Sequence, residues 1–207
     1  MARKSDPAKK ENIIRAAIRV FAQRGYAATR IIDVARAAGI GKGTIYEYFR
    51  SKEELFFAVF QQVMLDAEAP MAAAVVSDCG SVSQRLKILG EGLISSWLGK
   101  LELYSLVMEF WSATTISASR ERFKTAFQEG YQAFRQALAA LIQEGVDSGE
   151  FASTSRPIEI ASGLIGMWDA LLLQAWIDNT FDALGTSRTC LEVMLWGLGA
   201  REAKEPI

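Results

Sequence analysis

Residues 39 to 44, Gly-Ile-Gly-Lys-Gly-Thr, place three glycines at alternate positions around a lysine and a threonine. Open backbone N–H groups, a cation and a hydroxyl together bind phosphate, either that of a bound nucleotide or that of a nucleic-acid backbone. Spacing separates the two. A P-loop requires G-x-x-x-x-G-K-[ST] behind a buried strand, whereas Lys42 is followed by Gly43 and the preceding residues repeat with a helical period. The dinucleotide pattern G-x-G-x-x-G fails too, because Gly39, Gly41 and Gly43 alternate strictly. What remains is a tight turn that opens a short helix able to lie on DNA.

Composition bounds the other chemistries. The 207 residues include no histidine, so Ser-His-Asp, Cys-His and histidine-metal sites are excluded, and no glycine-flanked nucleophile occurs. An enzyme working by carboxylates alone is the alternative class. Cys79 and Cys190 stand without a CxxC partner, so neither a disulfide framework nor a metal site is expected, and no cofactor is implied. A reducing cytoplasm fits. The N-terminal residues are charged without a signal-peptide core, and the apolar run 160–177 is interrupted by Asp169 and Gln174, which reads as a buried helix and not a membrane span. The formal charge of −1 hides a division: residues 1–52 carry twelve Lys/Arg against four Asp/Glu, and residues 53–207 eleven against twenty. One end is built to meet a polyanion, nucleic acid or an anionic membrane surface.

Hydrophobic spacing is helical nearly throughout, so the fold is expected to be all-α. Helix one starts at Ser5 or Asp6 with Pro7 in its first turn, buries Ile13, Ala17, Val20 and Phe21, and stops at Gly25. Thr29 reads as the N-cap of a second helix facing inward through Ile31, Val34, Ala35 and Ala38, and ending at Gly39. A third begins at about Gly41 and turns Ile45 and Phe49 inward. Ser51-Lys-Glu-Glu54 is a capping box for helix four, which runs to about Pro70. Further helices are expected at about 82–99, 101–116, 119–147, 157–178 and 187–202, with a loop at 77–81. The domain division follows as 1–53 for the basic helix-turn-helix and 54–207 for a larger helical domain.

Helix, glycine turn, helix is the plan that places a second helix in the DNA major groove. Residues 16–60 resemble the DNA-binding domain of the TetR family of bacterial transcriptional repressors. The match rests on Gly25-Tyr26, Thr29, Asp33-Val-Ala35, Gly39-Ile40, Gly43-Thr-Ile-Tyr-Glu-Tyr-Phe49 and Lys52-Glu-Glu-Leu55. The resemblance implies DNA contacts by Thr29, Arg30, Lys42, Gly43, Thr44, Tyr46, Tyr48 and Lys52. Their chemistry agrees: tyrosine rings and hydroxyls meet thymine methyls or phosphate, and Lys42, Thr44 and Lys52 meet base edges or backbone. Family members often carry serine where Gly41 stands, a difference of a few tenths of a kcal/mol at an N-cap, whereas Gly43 inside so short a helix costs roughly 1 kcal/mol against alanine. Glu47 is an acid among phosphates, suited either to a cytosine amine or to offsetting Arg50.

Residues 110–138 and 144–151 are also similar to the C-terminal domains of the branch that includes the choline-pathway repressor. Resemblance to the family implies a helical domain that binds a small-molecule effector and forms a homodimer through its last two long helices, on a palindromic double-stranded operator. Amphipathic position nominates Trp97, Tyr104, Met108, Trp111, Phe127, Tyr131 and Trp168 for the effector, with Glu109 and Asp169 as polar groups interrupting apolar stretches. Gly163, Leu164, Met167, Leu171, Trp196 and Leu198 are nominated for the dimer interface. A membrane-surface protein is the remaining alternative, and the basic residues argue against it by lying on short packed helices with a turn between them.

Overall fold

The computed structural model describes residues 6–76 and 80–199, with backbone alone for residues 67–76. Its regular structure is helical, apart from one isolated antiparallel bridge between Phe151 and Gly199. Asp6 caps the first helix, α1 (Pro7–Ala28), by accepting from the Ala8 N–H at 3.0 Å. There follow α2 (Ile31–Ala37), α3 (Lys42–Tyr48), α4 (Lys52–Val76), α5 (Val82–Leu98), a 3-10 turn at Leu101–Leu103, α6 (Tyr104–Ile116), α7 (Arg120–Asp147), α8 (Pro157–Ile177) and α9 (Ala183–Leu198). Ser5 and Cys79, with most of the expected 77–81 loop, lie outside the described residues.

The expected division at 53/54 follows the basic segment. By compactness the chain parts into Met1–Asp66 with Lys100–Phe127, and Ala67–Gly99 with Gln128–Ile207. In the first unit Phe56 is the hub of an aromatic cluster, with ring centroids 5.4 Å from Phe21, 4.3 Å from Tyr26, 4.9 Å from Phe110 and 5.8 Å from Phe123. Phe60 extends it to Phe127 at 4.9 Å. Such tilted and edge-on pairs add to the burial of large apolar surface. α6 and the start of α7 therefore share one core with the helix-turn-helix.

The second unit packs α5, α8 and α9 around Trp168, which is 1% exposed. Its indole N–H donates to the Ser187 hydroxyl at 3.2 Å and its ring stacks on Phe134. Glu150 accepts from both the Val82 and Ser83 N–H groups at 2.8 Å, satisfying open donors at the start of α5. α8 has the length and apolarity of a membrane span, yet Ala161, Leu164, Ile165, Leu171 and Leu172 are buried within this unit.

α1 resumes beyond the non-helical Gly25 and runs to Ala28, past its expected stop, and α6 begins at Tyr104 behind the 3-10 turn where a helix is expected from 101. Three further boundaries differ from expectation. α4 continues through Pro70 to Val76, because the alanine-rich run around the proline has high helix propensity. α9 starts at Ala183, four residues before the expected 187, because Asp182 accepts from the Gly185 N–H at 2.8 Å and so caps it. It ends at Leu198, whose carbonyl accepts from the Ala152 N–H at 2.8 Å.

The Phe151 ring occupies the space where a Cβ would stand at Gly145 in α7, whereas nothing lies within 4 Å of that position at exposed Gly130 in the same helix. Gly145→Ala is expected to destabilise the protein by about 1–3 kcal/mol through overpacking. Gly130→Ala is expected to stabilise it by roughly 0.5–1 kcal/mol through helix propensity. Urea midpoints of the two variants against the parent measure both.

Candidate nucleic-acid interface

Gly39 ends α2 at φ +68, a left-handed conformation that side chains disfavour, and lets the Ile40 N–H turn back to the Ala35 carbonyl at 3.0 Å. The Asn12 amide pins this turn to α1 by donating to the Ala38 carbonyl at 3.0 Å. α3 follows with no side-chain cap at Gly41. Ile45 is fully buried and Phe49 nearly so, which fixes the rotation of a seven-residue helix that would not persist alone. Lys42, Gly43, Tyr46 and Glu47 consequently share the exposed face. The Lys42 ammonium lies 5.8 Å from the Tyr46 ring centroid. No atom lies within 4 Å of a Cβ built at Gly43, so the glycine answers no internal packing need. Glu47 forms no ion pair, with Arg50 or otherwise, among the described residues.

Of the other nominated residues, Thr29 is buried, Thr44, Tyr48 and Lys52 are half-buried and Arg30 is exposed. The cap of α2 is Arg30, one residue beyond the expected Thr29, since the Arg30 N–H donates to the Asp33 carboxylate at 3.1 Å. Thr29 is instead 2% exposed, and both its hydroxyl (2.7 Å) and its N–H (3.2 Å) donate to the Gly25 carbonyl. It fastens the bend between α1 and α2. The Tyr48 hydroxyl accepts from the Asp6 N–H at 3.2 Å. Lys52 donates to the Ala27 carbonyl at 3.3 Å and stands 4.3 Å from the Tyr26 ring centroid. Burial holds its ammonium below the ordinary lysine range, opposed by the charge of Glu109. In the box at α4 the Glu54 N–H donates to Ser51 as expected, while the Glu54 carboxylate accepts from the N–H of Arg50 instead of Ser51.

Glu109 is the residue whose role sequence reasoning missed. Both its carboxylate oxygens accept from the Tyr26 N–H at 2.9 Å. Burial raises its pKa above the ordinary carboxylate range, opposed by that N–H and by Lys52. The signal was its interruption of an apolar stretch, but the partner is 83 positions away.

Of the residues nominated for an effector, Tyr104, Met108, Trp111 and Phe127 belong to the first unit and Trp97, Tyr131 and Trp168 to the second. Tyr104 and Trp168 are core side chains, and Trp97, Met108, Phe127 and Tyr131 are half-buried. Trp111 is exposed and meets Phe127 edge-on at 6.1 Å. Of the dimer set, Leu164 and Leu171 face their own unit's core, Met167 and Leu198 are half-buried, and Gly163 and Trp196 are exposed. Helix phase explains the difference, since the exposed stripe on α8 runs through Gly163, Gly166, Leu173 and Ile177, and Val193 and Trp196 are the exposed apolar residues of α9.

The Tyr131 hydroxyl donates to the Asp169 carboxylate at 2.7 Å, and burial nevertheless pushes the Asp169 pKa up. A carboxyl whose folded pKa is raised keeps its proton longer in the folded state, so its contribution is favourable at low pH and is lost as pH rises through the raised value. Asp169→Asn keeps an acceptor for Tyr131 and is expected to gain stability relative to the parent as pH is raised from 4 to 7. Urea unfolding of both proteins at the two pH values checks the sign.

The profile described as "Bacterial regulatory proteins, tetR family" matches residues 13–59, and that described as "Tetracyclin repressor-like, C-terminal domain" matches residues 100–182. The chain is 28% identical over 171 residues to the uncharacterized HTH-type transcriptional regulator YfiR of Bacillus subtilis, covering 81% of this chain and 80% of YfiR. Its fold matches that of the transcriptional regulator FadR from Bacillus subtilis in complex with stearoyl-CoA, with TM-score 0.72 and 22% identity, over 91% of this chain and 98% of that one. It matches equally a putative transcriptional regulator from Saccharomonospora viridis in complex with choline, with TM-score 0.78 and 22% identity, over 95% of this chain and all of that one. Two matched segments that together exceed half the chain, and an exposed reading helix behind a glycine turn, lead to one conclusion: the chain belongs to the TetR family, DNA-binding helix-turn-helix regulators of transcription and not enzymes.

Proposed function

We propose that this regulator is a cytoplasmic repressor that binds a palindromic operator as a homodimer and is released by a small-molecule effector. The observation that carries the DNA reading is the face of α3, where Lys42, Gly43, Tyr46 and Glu47 are exposed together above buried Ile45 and Phe49. Lys42 and Tyr46 meet base edges, Gly43 admits close approach, Thr44 lies at the rim of the same face, and Lys52, Tyr48, Arg30 and Thr29 belong to the phosphate-positioning surround.

The homodimer is supported by the exposed apolar residues of α8 and α9. Trp196 is 75% exposed, Val193 65% and Ile177 71%, and nothing lies within 4 Å of a Cβ at Gly163, Gly166 or Gly197, so a second copy has room to approach closely. Two reading helices related by a twofold then meet half-sites about one helical turn of DNA apart or somewhat more, roughly 34–36 Å at the shortest. For the effector, Met108, Trp111 and Phe127 offer apolar surface in the first unit. The relatives' ligands, an acyl-CoA and choline, differ in kind, so the regulated genes are the route to its identity. Release follows by population shift: an effector that binds better to a state in which α4 carries the reading helices out of register lowers operator affinity by that difference.

Selection of random duplex DNA by the purified protein, followed by titration of the enriched sequence at two salt concentrations, tests the reading. Enrichment of a palindrome with affinity falling steeply in salt is expected. Thr44→Ala is expected to change the preferred sequence, and Trp196→Glu to convert the dimer to monomer in sedimentation with loss of operator affinity. Salt-sensitive binding with no enriched sequence would mean that the helix-turn-helix does not read sequence.

A further inference from the structure

We propose that Glu109, on α6 and outside the helix-turn-helix, is a positioning residue for DNA binding: its carboxylate holds the Gly25–Tyr26 turn and competes with DNA phosphate for Lys52. The inference rests on the DNA-binding reading above and adds a residue that the reading does not need. It starts from the backbone. Gly25 departs from helix at φ +76 and ψ 159, which leaves the following N–H, that of Tyr26, without a helical acceptor. Glu109 supplies it with both oxygens at 2.9 Å. A Cβ on residue 25 would stand 2.9 Å from the nearer of those oxygens, so glycine there serves the left-handed conformation and also the entry of the carboxylate.

Lys52 is held by the same turn. Its ammonium donates to the Ala27 carbonyl and lies over the ring of Tyr26, whose N–H is the one that Glu109 binds. The stretch Gly25–Ala27 is thus gripped through an N–H by an acid on α6, and through a carbonyl and a ring by a base at the start of α4. The acid and the base also act on each other through their charges. Neither end is loose: Phe110, next to Glu109, is fully buried and packs on Phe56 and Phe60, and Leu55, one turn after Lys52, is fully buried as well. Lys52 gives one of its three ammonium N–H groups to the Ala27 carbonyl, and a phosphate that takes the others draws the ammonium from the Tyr26 ring against the attraction of Glu109. The carboxylate therefore lowers DNA affinity while it keeps the lysine in a defined place. α6 in this way sets how readily a phosphate-binding lysine is given up, through two side chains and one peptide group.

Glu109→Gln separates charge from geometry, because the amide oxygen still accepts from the Tyr26 N–H. The full-length protein is titrated with the selected operator and with a random duplex of equal length, over a series of salt concentrations. Glu109→Gln is expected to tighten binding to both by about three- to ten-fold at low salt, and to steepen the slope of log K against log salt by up to about one phosphate contact. In a Lys52→Ala background the same substitution is expected to change neither quantity. Unchanged affinity and slope in Glu109→Gln, or an equal gain with and without Lys52, would overturn the assignment and leave Glu109 a structural clamp. Failure of the parent protein itself to bind any duplex would overturn the DNA-binding reading and this inference with it.

Discussion

Phe56 is the residue on which the arrangement of the first unit turns. Its ring touches Phe21 and Tyr26 from α1, Phe110 from α6 and Phe123 from α7, all at centroid distances below 6 Å. A buried phenylalanine of this kind contributes about 3–5 kcal/mol when judged by truncation, whereas a hydrogen bond to a charged group contributes about 1.5–3. The aromatic cluster therefore decides that α6 and α7 pack on the reader. Glu109, Lys52 and Thr29 decide the angle at which it is held. α2 and α3 depend on this frame, since seven residues each is too short for either helix to persist without Val34, Ala35, Ile45 and Phe49 buried against it.

Local chemistry explains what the sequence disclosed. Gly39, the Asp6 cap, the Ser51 hydroxyl and the inward pair Ile45 and Phe49 act over a few residues, so spacing alone located the turn and the outward face of α3. What spacing could not reveal was contact across many positions. The core shared by the helix-turn-helix with Phe110 and Phe123 pairs side chains more than fifty residues apart, and the Glu109 clamp joins positions 83 apart. Amphipathic phase also failed where a helix is apolar nearly all round. Leu164 and Leu171 of α8 are nominated for the dimer as apolar area, but in such a helix only the packing of α5 and α9 selects which stripe is buried. Thr29 illustrates a subtler limit: threonine before a helix reads as a cap, yet its hydroxyl has a nearer acceptor in the carbonyl left open by Gly25.

The nominated DNA residues thus separate into two physical groups. Those on α3 have no internal obligation: Lys42, Gly43, Tyr46 and Glu47 could change without disturbing the core, which suits a surface whose identity sets sequence preference. Glu47 belongs with them, because a free carboxylate facing phosphates is repelled unless a base offers a donor, and cytosine N4 does so in the major groove without the adjacent acceptor that adenine presents. Thr29, Tyr48 and Lys52 each hold a backbone group of their own unit through Gly25, Asp6 and Ala27. Of these, Thr29 has already given its hydroxyl proton to Gly25, whereas Tyr48 only accepts from Asp6 and Lys52 has two further N–H donors, so a phosphate contact by these two adds to the internal bond. On the proposed reading, sequence preference is free to vary on α3, while affinity is tied through Tyr26 and Glu109 to the packing of α6.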